Sequence, residues 1–185
     1  MLDDAGRDVA PGQLGELYSR SPYLFNGYWN RPQATQECML EGGWVSAGDI
    51  ARRDPHGFLY IVDRKKDMVI SGGINIYPRE IELALEQHPA VLESAVVGVP
   101  DDHWGERLRA FVVVRPGVSA DEQLANELAR FCAATVAAYK VPRELGFIQE
   151  VPRNIGGKVL KRDLRVAALP VFVVHKREPQ IHERA

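Results

Sequence analysis

The pattern of apolar and polar positions changes at residues 63–67, whose sequence is DRKKD. Before that point, short apolar stretches such as residues 15–21 and 57–63 are separated by turn signals that contain Gly and Pro. Short apolar runs with this punctuation are typical of strands joined by turns. The first third of the chain is therefore predicted to be all-β.

After the polar run, the spacing of apolar residues becomes helical. Pro78 opens residues 78–88, and acidic residues occupy the first turn, where they suit the positive end of a helix dipole. The segment places Ile81, Ala84, Leu85 and His88 on one face. This spacing predicts a helix of about three turns.

Two strands and a second helix are predicted next. Residues 94–100 and 108–117 are β-branched runs bounded by Pro or Gly, which is typical of strands. Ser119 stands three residues before Glu122, a capping-box spacing that predicts a helix extending to about residue 138. The apolar face of this helix is expected to consist of Leu124, Leu128, Phe131 and Thr135.

A third short strand, at residues 145–152, completes a small sheet flanked by helices, so the predicted fold class is α+β. The predicted organisation has four parts. Residues 1–63 form a strand-rich piece, 64–67 a polar joint, 68–165 a compact α+β domain and 166–185 a tail.

Composition narrows the possible partners. The 185 residues are 45% hydrophobic and 26% charged, with a net charge of -2. Because the 23 Lys and Arg residues are scattered, no nucleic-acid or anionic-membrane partner is expected. Residues 166–174 are apolar but contain Pro170 and are too short for a membrane span. The isolated cysteines Cys38 and Cys132 and the lack of a signal segment favour a reducing, cytoplasmic compartment.

Several catalytic signatures are excluded. Residues 152–158, PRNIGGK, carry a lysine after two glycines, yet Pro152 and Val159 occupy positions where a phosphate-binding loop needs Gly and Ser or Thr. Val69 stands where a nucleophile elbow needs Gly, and no His-Glu-x-x-His occurs. The histidines lack metal-ligand spacing. From the residues alone, Lys158 could be a solvated lysine in a surface turn.

Four ordered stretches, residues 15–35, 42–82, 88–114 and 139–165, resemble the C-terminal third of the adenylate-forming acyl-CoA synthetases. The resemblance covers about residues 12–165, and DRKKDMVISGG looks closest to the fatty-acid and carboxylate CoA ligases. It implies a two-step reaction. A carboxylic acid and ATP give an acyl-adenylate, and CoA then displaces AMP to form a thioester.

The resemblance also implies roles for individual residues. Asp49 would accept hydrogen bonds from the ribose hydroxyls of the nucleotide, and Arg64 would donate to the same sugar. Lys66 would be the hinge about which the C-terminal domain turns between half reactions. The alternatives are a turn aspartate, a surface charge and a hydrophilic linker.

Two further sites follow from the same resemblance. Gly72 and Gly73 would line the pantetheine tunnel with Trp104 and Gly105 nearby, although Trp104 could equally be a packing residue. Lys158 would enter the active site for adenylation and stabilise charge on the carboxylate and α-phosphate oxygens.

The sequence departs from the family pattern at Ala47, where Thr is usual, and at Gly156, where Ser or Thr is common. The phosphate loop, adenine motif and acyl pocket belong to a large N-terminal domain of which these residues hold only the last strands. ATP or AMP, CoA and Mg²⁺ are therefore expected in a complete enzyme, with Mg²⁺ not bound by this chain. Residues 166–185 have no counterpart in the family.

Three interpretations stay open. The chain could be the C-terminal portion of an acyl-CoA synthetase, inactive unless a separate N-terminal AMP-binding domain is supplied. It could be a non-catalytic remnant that binds a nucleotide or CoA. It could belong to an adenylation domain that loads a carrier protein, which the DRKKDMVISGG stretch disfavours.

Overall fold

The structure is a computed structural model, and it describes residues 1–174. His175, His182 and most of the predicted tail therefore lie outside the described residues. The chain divides into two compact units, Met1–Lys66 and a second that begins at Asp67. The division falls within the predicted joint at residues 64–67, whose role as a hinge stays a prediction.

The first unit is built on one antiparallel sheet. Its elements are β1 (Leu14–Ser19), α1 (Pro32–Cys38), β2 (Met39–Leu40), β3 (Trp44–Arg53) and β4 (Leu59–Arg64), and a short 3-10 turn follows at Lys65–Asp67. The long strand β3 is central. It pairs with β1 along one edge and with β2 and β4 along the other.

The prediction of an all-β first unit was wrong at α1. This helix begins at Pro32, a residue preorganised for the first helical turn. None of its seven residues is buried, so it carries no apolar periodicity that the sequence could reveal.

The second unit contains a six-stranded sheet between two layers. In chain order its elements are β5 (Val69–Ser71), β6 (Ile74–Ile76), α2 (Pro78–Glu86), β7 (Val91–Asp101), β8 (Gly105–Val114), α3 (Glu122–Thr135), β9 (Glu144–Phe147), α4 (Lys161–Val166) and β10 (Phe172–Val173). The strand β8 is central, with β7 antiparallel to it along one edge and β9 parallel to it on the other. Within residues 1–174, the strand β7 pairs only with β8, so it is an edge strand.

Both faces of this sheet are covered. On one face, α2 and α3 bury a core with β8 and β9 that includes Ile81, Leu85, Leu128, Val112 and Leu145. On the other face, α4 and the segment before it bury a smaller core that includes Leu164, Val151, Val97 and Phe111. Alternate residues of β7 and β8 enter opposite cores, as the two-residue period of a strand requires.

Several predicted boundaries need correction. The residue that caps α3 is Asp121, not Ser119: the Asp121 side chain accepts a hydrogen bond from the Leu124 N–H at 2.9 Å. The buried face of α3 is Leu124, Ala125, Leu128, Ala129 and Cys132, while the predicted face residue Thr135 is exposed. The helix α2 is the predicted one, but it ends at Glu86.

Candidate functional site

Asp49 and Arg64 form an ion pair in the first unit. They lie directly opposite each other where β3 pairs with β4. The Arg64 Nε lies 2.8 Å from the Asp49 Oδ1, and the Arg64 Nη1 donates to the Ala47 carbonyl at 3.2 Å. Both side chains stay partly exposed, so the pair presents a carboxylate and a guanidinium to the surface side by side.

A second polar cluster supports the part of β3 that precedes Asp49. The Glu16 carboxylate accepts hydrogen bonds from the Ser46 hydroxyl at 2.6 Å, the Lys65 Nζ at 2.7 Å and the Tyr18 hydroxyl at 3.1 Å. Burial alone would raise the pKa of Glu16, but these hydrogen bonds outweigh burial and hold its pKa below the ordinary value. Glu16 is therefore an anchoring carboxylate.

The Ser46 hydroxyl in turn accepts from the Gly48 N–H at 2.9 Å, so the cluster fixes the backbone beside Ala47 and Gly48. A cavity of about 890 Å³, lined by Glu16, Ser46, Gly48 and residues of α1, opens here. Sequence reasoning missed Glu16 and Ser46. The only signal was an acidic residue within the otherwise apolar run of β1.

The second unit brings Gly72 and Trp104 into contact. Gly72 and Gly73 form the two-residue turn between β5 and β6, with φ of 59° and 77°. Positive φ at both positions is what this tight hairpin turn requires, and glycine adopts it without strain. The Gly72 N–H donates to the Trp104 carbonyl at 2.9 Å.

The Trp104 ring packs against the Gly72 backbone so closely that a Cβ at residue 72 would lie 2.7 Å from the ring Cε3 atom. Two more side chains contact the Trp104 ring. The Arg143 guanidinium lies 5.3 Å from the ring centroid, and the centroid of the His103 ring lies 4.5 Å from it. The residue as a whole is 39% exposed. It is therefore both packed and accessible to a ligand.

A cavity of about 140 Å³ adjoins this ring. Its lining combines apolar residues of β6 and β8 with Trp104, Tyr139, Arg107 and Arg143. Two cations and two aromatic rings around a narrow apolar channel suit a slim ligand that carries negative charge at one end.

Arg107 is held in place by a network on the β8 and β9 strands. Its guanidinium donates to the Glu144 Oε1 at 2.7 Å, and Arg109 donates to the Glu144 Oε2 at 2.5 Å. Burial opposes ionisation of Glu144, yet the hydrogen bonds from Arg109 and Arg107 outweigh it and lower its pKa. Asp101 adds a more distant contact to Arg107 at 3.5 Å.

Lys158 lies in a loop that is fixed by Asn154. The Asn154 Oδ1 accepts from the N–H groups of Gly156 and Lys158, both at 3.0 Å, and the Asn154 N–H donates to the Lys158 carbonyl at 3.0 Å. Gly157 has φ of 77°, which closes the turn. Arg153 and Val159 pair as an antiparallel bridge at its base. We call residues 152–160 the lysine loop.

The Lys158 side chain is exposed. Among residues 1–174, its ammonium group forms no hydrogen bond or ion pair, whereas many other cations of this unit are paired. The backbone of the residue is thus ordered while its charge is left available.

The two sites of the second unit lie at opposite ends of β7. Arg153 of the lysine loop forms an ion pair with Glu93 near the start of the strand. The Trp104 N–H donates to Asp101 at the end of the strand at 2.9 Å. At about 3.3 Å per residue, β7 places Glu93 and Asp101 roughly 26 Å apart.

No group of three or more His, Cys, Asp or Glu side chains within residues 1–174 is arranged to hold a metal ion. Over the same residues, no helix is long and apolar enough to cross a membrane.

Part of the second unit matches a known family of domains. Residues 80–158 match the AMP-binding enzyme C-terminal domain. The chain matches the C-terminal part of the adenylate-forming acyl-CoA ligases, and the resemblance identified from the sequence is confirmed.

Two curated relatives show how much of the sequence is shared. The chain is 46% identical over 165 residues to the long-chain-fatty-acid–CoA ligase of Escherichia coli O157:H7, covering 89% of this chain and 28% of the relative. It is 44% identical over 160 residues to the 2-succinylbenzoate–CoA ligase of Geobacillus kaustophilus, covering 86% and 32%.

Among solved structures, the o-succinylbenzoate CoA synthetase of Bacillus subtilis, in complex with its acyl-adenylate intermediate, superposes with a TM-score of 0.80 at 36% identity. That alignment covers 91% of this chain and 34% of the synthetase. The chain thus spans about a third or less of the length of the relatives it matches.

Proposed function

We propose that this chain provides the C-terminal part of an ATP-dependent acyl-CoA synthetase, in which a carboxylic acid is first adenylated and then transferred to CoA. The observation that carries the proposal is Lys158, whose charge has no partner among residues 1–174 and whose backbone is fixed, within a match to the AMP-binding enzyme C-terminal domain. The acyl group is left open. Relatives named for a long-chain fatty acid and for 2-succinylbenzoate are 46% and 44% identical to this chain.

In the adenylation step, Lys158 would contact the reacting carboxylate and the α-phosphate. Negative charge develops there in the transition state, and an ammonium group at 4 Å contributes about 4 kcal/mol at an effective dielectric constant of 20. The hydrogen bonds to Asn154 fix the backbone of the lysine loop before the substrate arrives, so only the side chain would have to become ordered. The rate would therefore gain from a lysine whose backbone is already in place.

The nucleotide ribose would be held by the first unit. Asp49 would accept from the ribose hydroxyls while Arg64 fixes one of its carboxylate oxygens at 2.8 Å and donates to the sugar. The cluster around Glu16 would hold the adjoining backbone of Gly48 in position. With Ala47 in place of the usual threonine, no hydroxyl is available from that residue.

Thioester formation would use the opposite end of the second unit. The pantetheine arm of CoA is slim and largely uncharged, which suits the channel between Gly72, Trp104 and Tyr139. Arg107 and Arg143 would meet the anionic part of CoA. The change from one half reaction to the other would be a rotation about residues 64–67, with Lys66 as the hinge.

The partner of the chain is proposed to be a large N-terminal AMP-binding domain, which would supply the phosphate loop, the acyl pocket and the ligands of Mg²⁺. The first unit exposes large apolar side chains that such a domain would cover, among them Tyr23, Trp29, Phe58, Tyr60 and Ile61.

The proposed location is a reducing, cytoplasmic compartment. Cys38 and Cys132 are free cysteines. Burial, with a smaller contribution from the charge of Glu80, raises the pKa of the Cys132 thiol to about 11, so this thiol is unreactive.

The test joins these 185 residues to the N-terminal part of the Escherichia coli relative and measures each half reaction in a single turnover. Lys158→Ala should slow adenylation about a hundredfold or more, the scale for losing one preorganised charge. Thioester formation from supplied acyl-adenylate should stay near the wild-type rate. Lys158→Arg should rescue poorly, because a planar guanidinium does not reproduce a compact ammonium group.

Two results would contradict the proposal. Equal losses in both half reactions would mean that Lys158 maintains the fold or a shared ligand. Unchanged rates in both would make it an ordinary surface lysine.

A further inference from the structure

A buried carboxylate lies between the lysine loop and the rest of the second unit. Glu82 of α2 is 5% exposed, and its Oε1 forms an ion pair with the Lys161 Nζ at 2.7 Å. Lys161 begins α4, immediately after the lysine loop, and only 12% of its side chain is exposed. Neither this glutamate nor this lysine has a role in the proposed half reactions.

Glu82 connects α2 with the edge strand β7 and with α4. The same Oε1 also accepts from the Val96 N–H at 3.0 Å, on the edge strand β7. Since α2 covers one face of the sheet and α4 the other, the Lys161 side chain reaches around the free edge of β7. Glu82 thus binds both layers and the strand between them.

Other polar contacts of Glu82 and of the lysine loop are weaker. The Arg79 Nη1 lies 3.4 Å from the Glu82 Oε2, which is long for a hydrogen bond. The ion pair between Arg153 and Glu93 is more exposed, at 43% and 31%, and exposed pairs contribute little. The buried pair of Glu82 and Lys161 is expected to be the strongest of these polar contacts. Separating its partners would leave an uncompensated charge away from water.

We propose that Glu82 is a positioning residue for Lys158: through Lys161 and the Val96 N–H, it holds the lysine loop at the angle that adenylation requires. The inference rests on the proposed function of Lys158. A small displacement of a catalytic group can cost up to about a hundredfold in rate, so loosening this link should act mainly on the step that uses Lys158.

The experiment uses the same fusion and the two single-turnover assays. Glu82→Gln keeps an acceptor for Val96 but removes the charge that Lys161 needs. It should slow adenylation about tenfold or more, while thioester formation from supplied acyl-adenylate changes by less than about twofold. Glu80→Gln is the matched control: it lies on the same helix, it pairs with a lysine, Lys140, at 2.6 Å, and its variant should keep both rates.

A double-mutant cycle separates positioning from general stabilisation. If Glu82 acts through Lys158, then adding Glu82→Gln to Lys158→Ala should cost less than about a further twofold in adenylation. Full additivity would overturn the inference, as would equal losses in both half reactions or a wild-type adenylation rate in Glu82→Gln.

A second pair of variants covers the case in which Glu82→Gln does not fold. Lys161→Arg keeps the charge and should retain most of the adenylation rate, whereas Lys161→Met should lose about tenfold. Equal rates in these two variants would overturn the inference.

Amide hydrogen exchange can be measured on the 185-residue chain itself, without any enzymatic activity. Amide hydrogen exchange at Lys158 and at Leu160, whose N–H donates to the Pro152 carbonyl at 2.8 Å, should be faster in Glu82→Gln and unchanged in Glu80→Gln. Unchanged exchange in both variants would overturn the link. A wild-type adenylation rate in Lys158→Ala would instead overturn the proposed function, and slow adenylation in Lys158→Ala with a normal rate in Glu82→Gln would overturn the positioning role alone.

Discussion

The two glycines of the β5–β6 turn offer a matched pair of substitutions. Gly72 has φ of 59° and Gly73 has φ of 77°, so alanine is strained at either position by about 1–2 kcal/mol. At residue 73 the added Cβ meets nothing within 4 Å. At residue 72 it would lie 2.7 Å from the Trp104 Cε3 and 3.0 Å from its Cζ3.

The two alanine variants are expected to differ in stability because only the Cβ at residue 72 meets the Trp104 ring. Overpacking costs about 1–3 kcal/mol, and the lower part of this range applies because the partly exposed Trp104 ring can shift. We therefore expect Gly73→Ala to lower the free energy of unfolding of the second unit by about 1–2 kcal/mol. Gly72→Ala should lower it by about 2–4 kcal/mol, the sum of the two effects.

The assay is urea unfolding followed by tryptophan fluorescence. Trp29 and Trp44 are first replaced by Phe, so that Trp104 is the remaining tryptophan of the three. Adding Trp104→Ala to Gly72→Ala should remove the extra cost, in a version of the experiment followed by circular dichroism. Equal losses for the two alanine variants, or an extra cost that persists without the ring, would refute the described packing.

Three further outcomes are expected. Asp121→Ala should destabilise the second unit by about 1 kcal/mol in urea unfolding through loss of the α3 cap, and Ser119→Ala should change little. Folding lowers the pKa of Glu144 below its ordinary value of 4.5. Ionised Glu144 should therefore stabilise the fold at pH values above 4.5, and this stability should be lost as the pH falls through the lower folded pKa. Glu144→Gln should flatten that part of the pH profile, and an unchanged profile would contradict the assignment. Finally, the 185 residues alone should show no acid-dependent release of pyrophosphate from ATP and Mg²⁺. Turnover would mean that they contain a phosphate site.

The sequence predicted best those elements whose apolar pattern is local. The helices α2 and α3 bury apolar residues at helical spacing, whereas β7 and β8 are nearly continuous β-branched runs because both faces of the sheet are covered. The helix α1 buries nothing and was missed. The cap of α3 was misplaced because Ser119 and Asp121 are both good capping residues, and only the folded backbone decides which one reaches the Leu124 N–H.

Long-range polar contacts leave no comparable pattern in the amino-acid sequence. The resemblance placed Asp49 and Arg64 in one site, but the register of β3 and β4 that sets them opposite each other depends on strand pairing. The contact between Glu82 and Lys161 depends on which strand lies at the sheet edge. Such contacts are decided by topology, which residue spacing does not encode.

The length of β7 has a consequence for inhibition. The strand spans about 26 Å between Glu93, which pairs with the lysine loop, and Asp101, which pairs with Trp104 beside the glycine turn, so under the proposed function a single reaction centre would receive one end of the domain at a time. A compound that trapped the Lys158 end against a bound acyl-adenylate would therefore withhold the Trp104 end as well. Such a compound would block CoA from reacting without occupying any part of the CoA channel, and raising the CoA concentration would not relieve it.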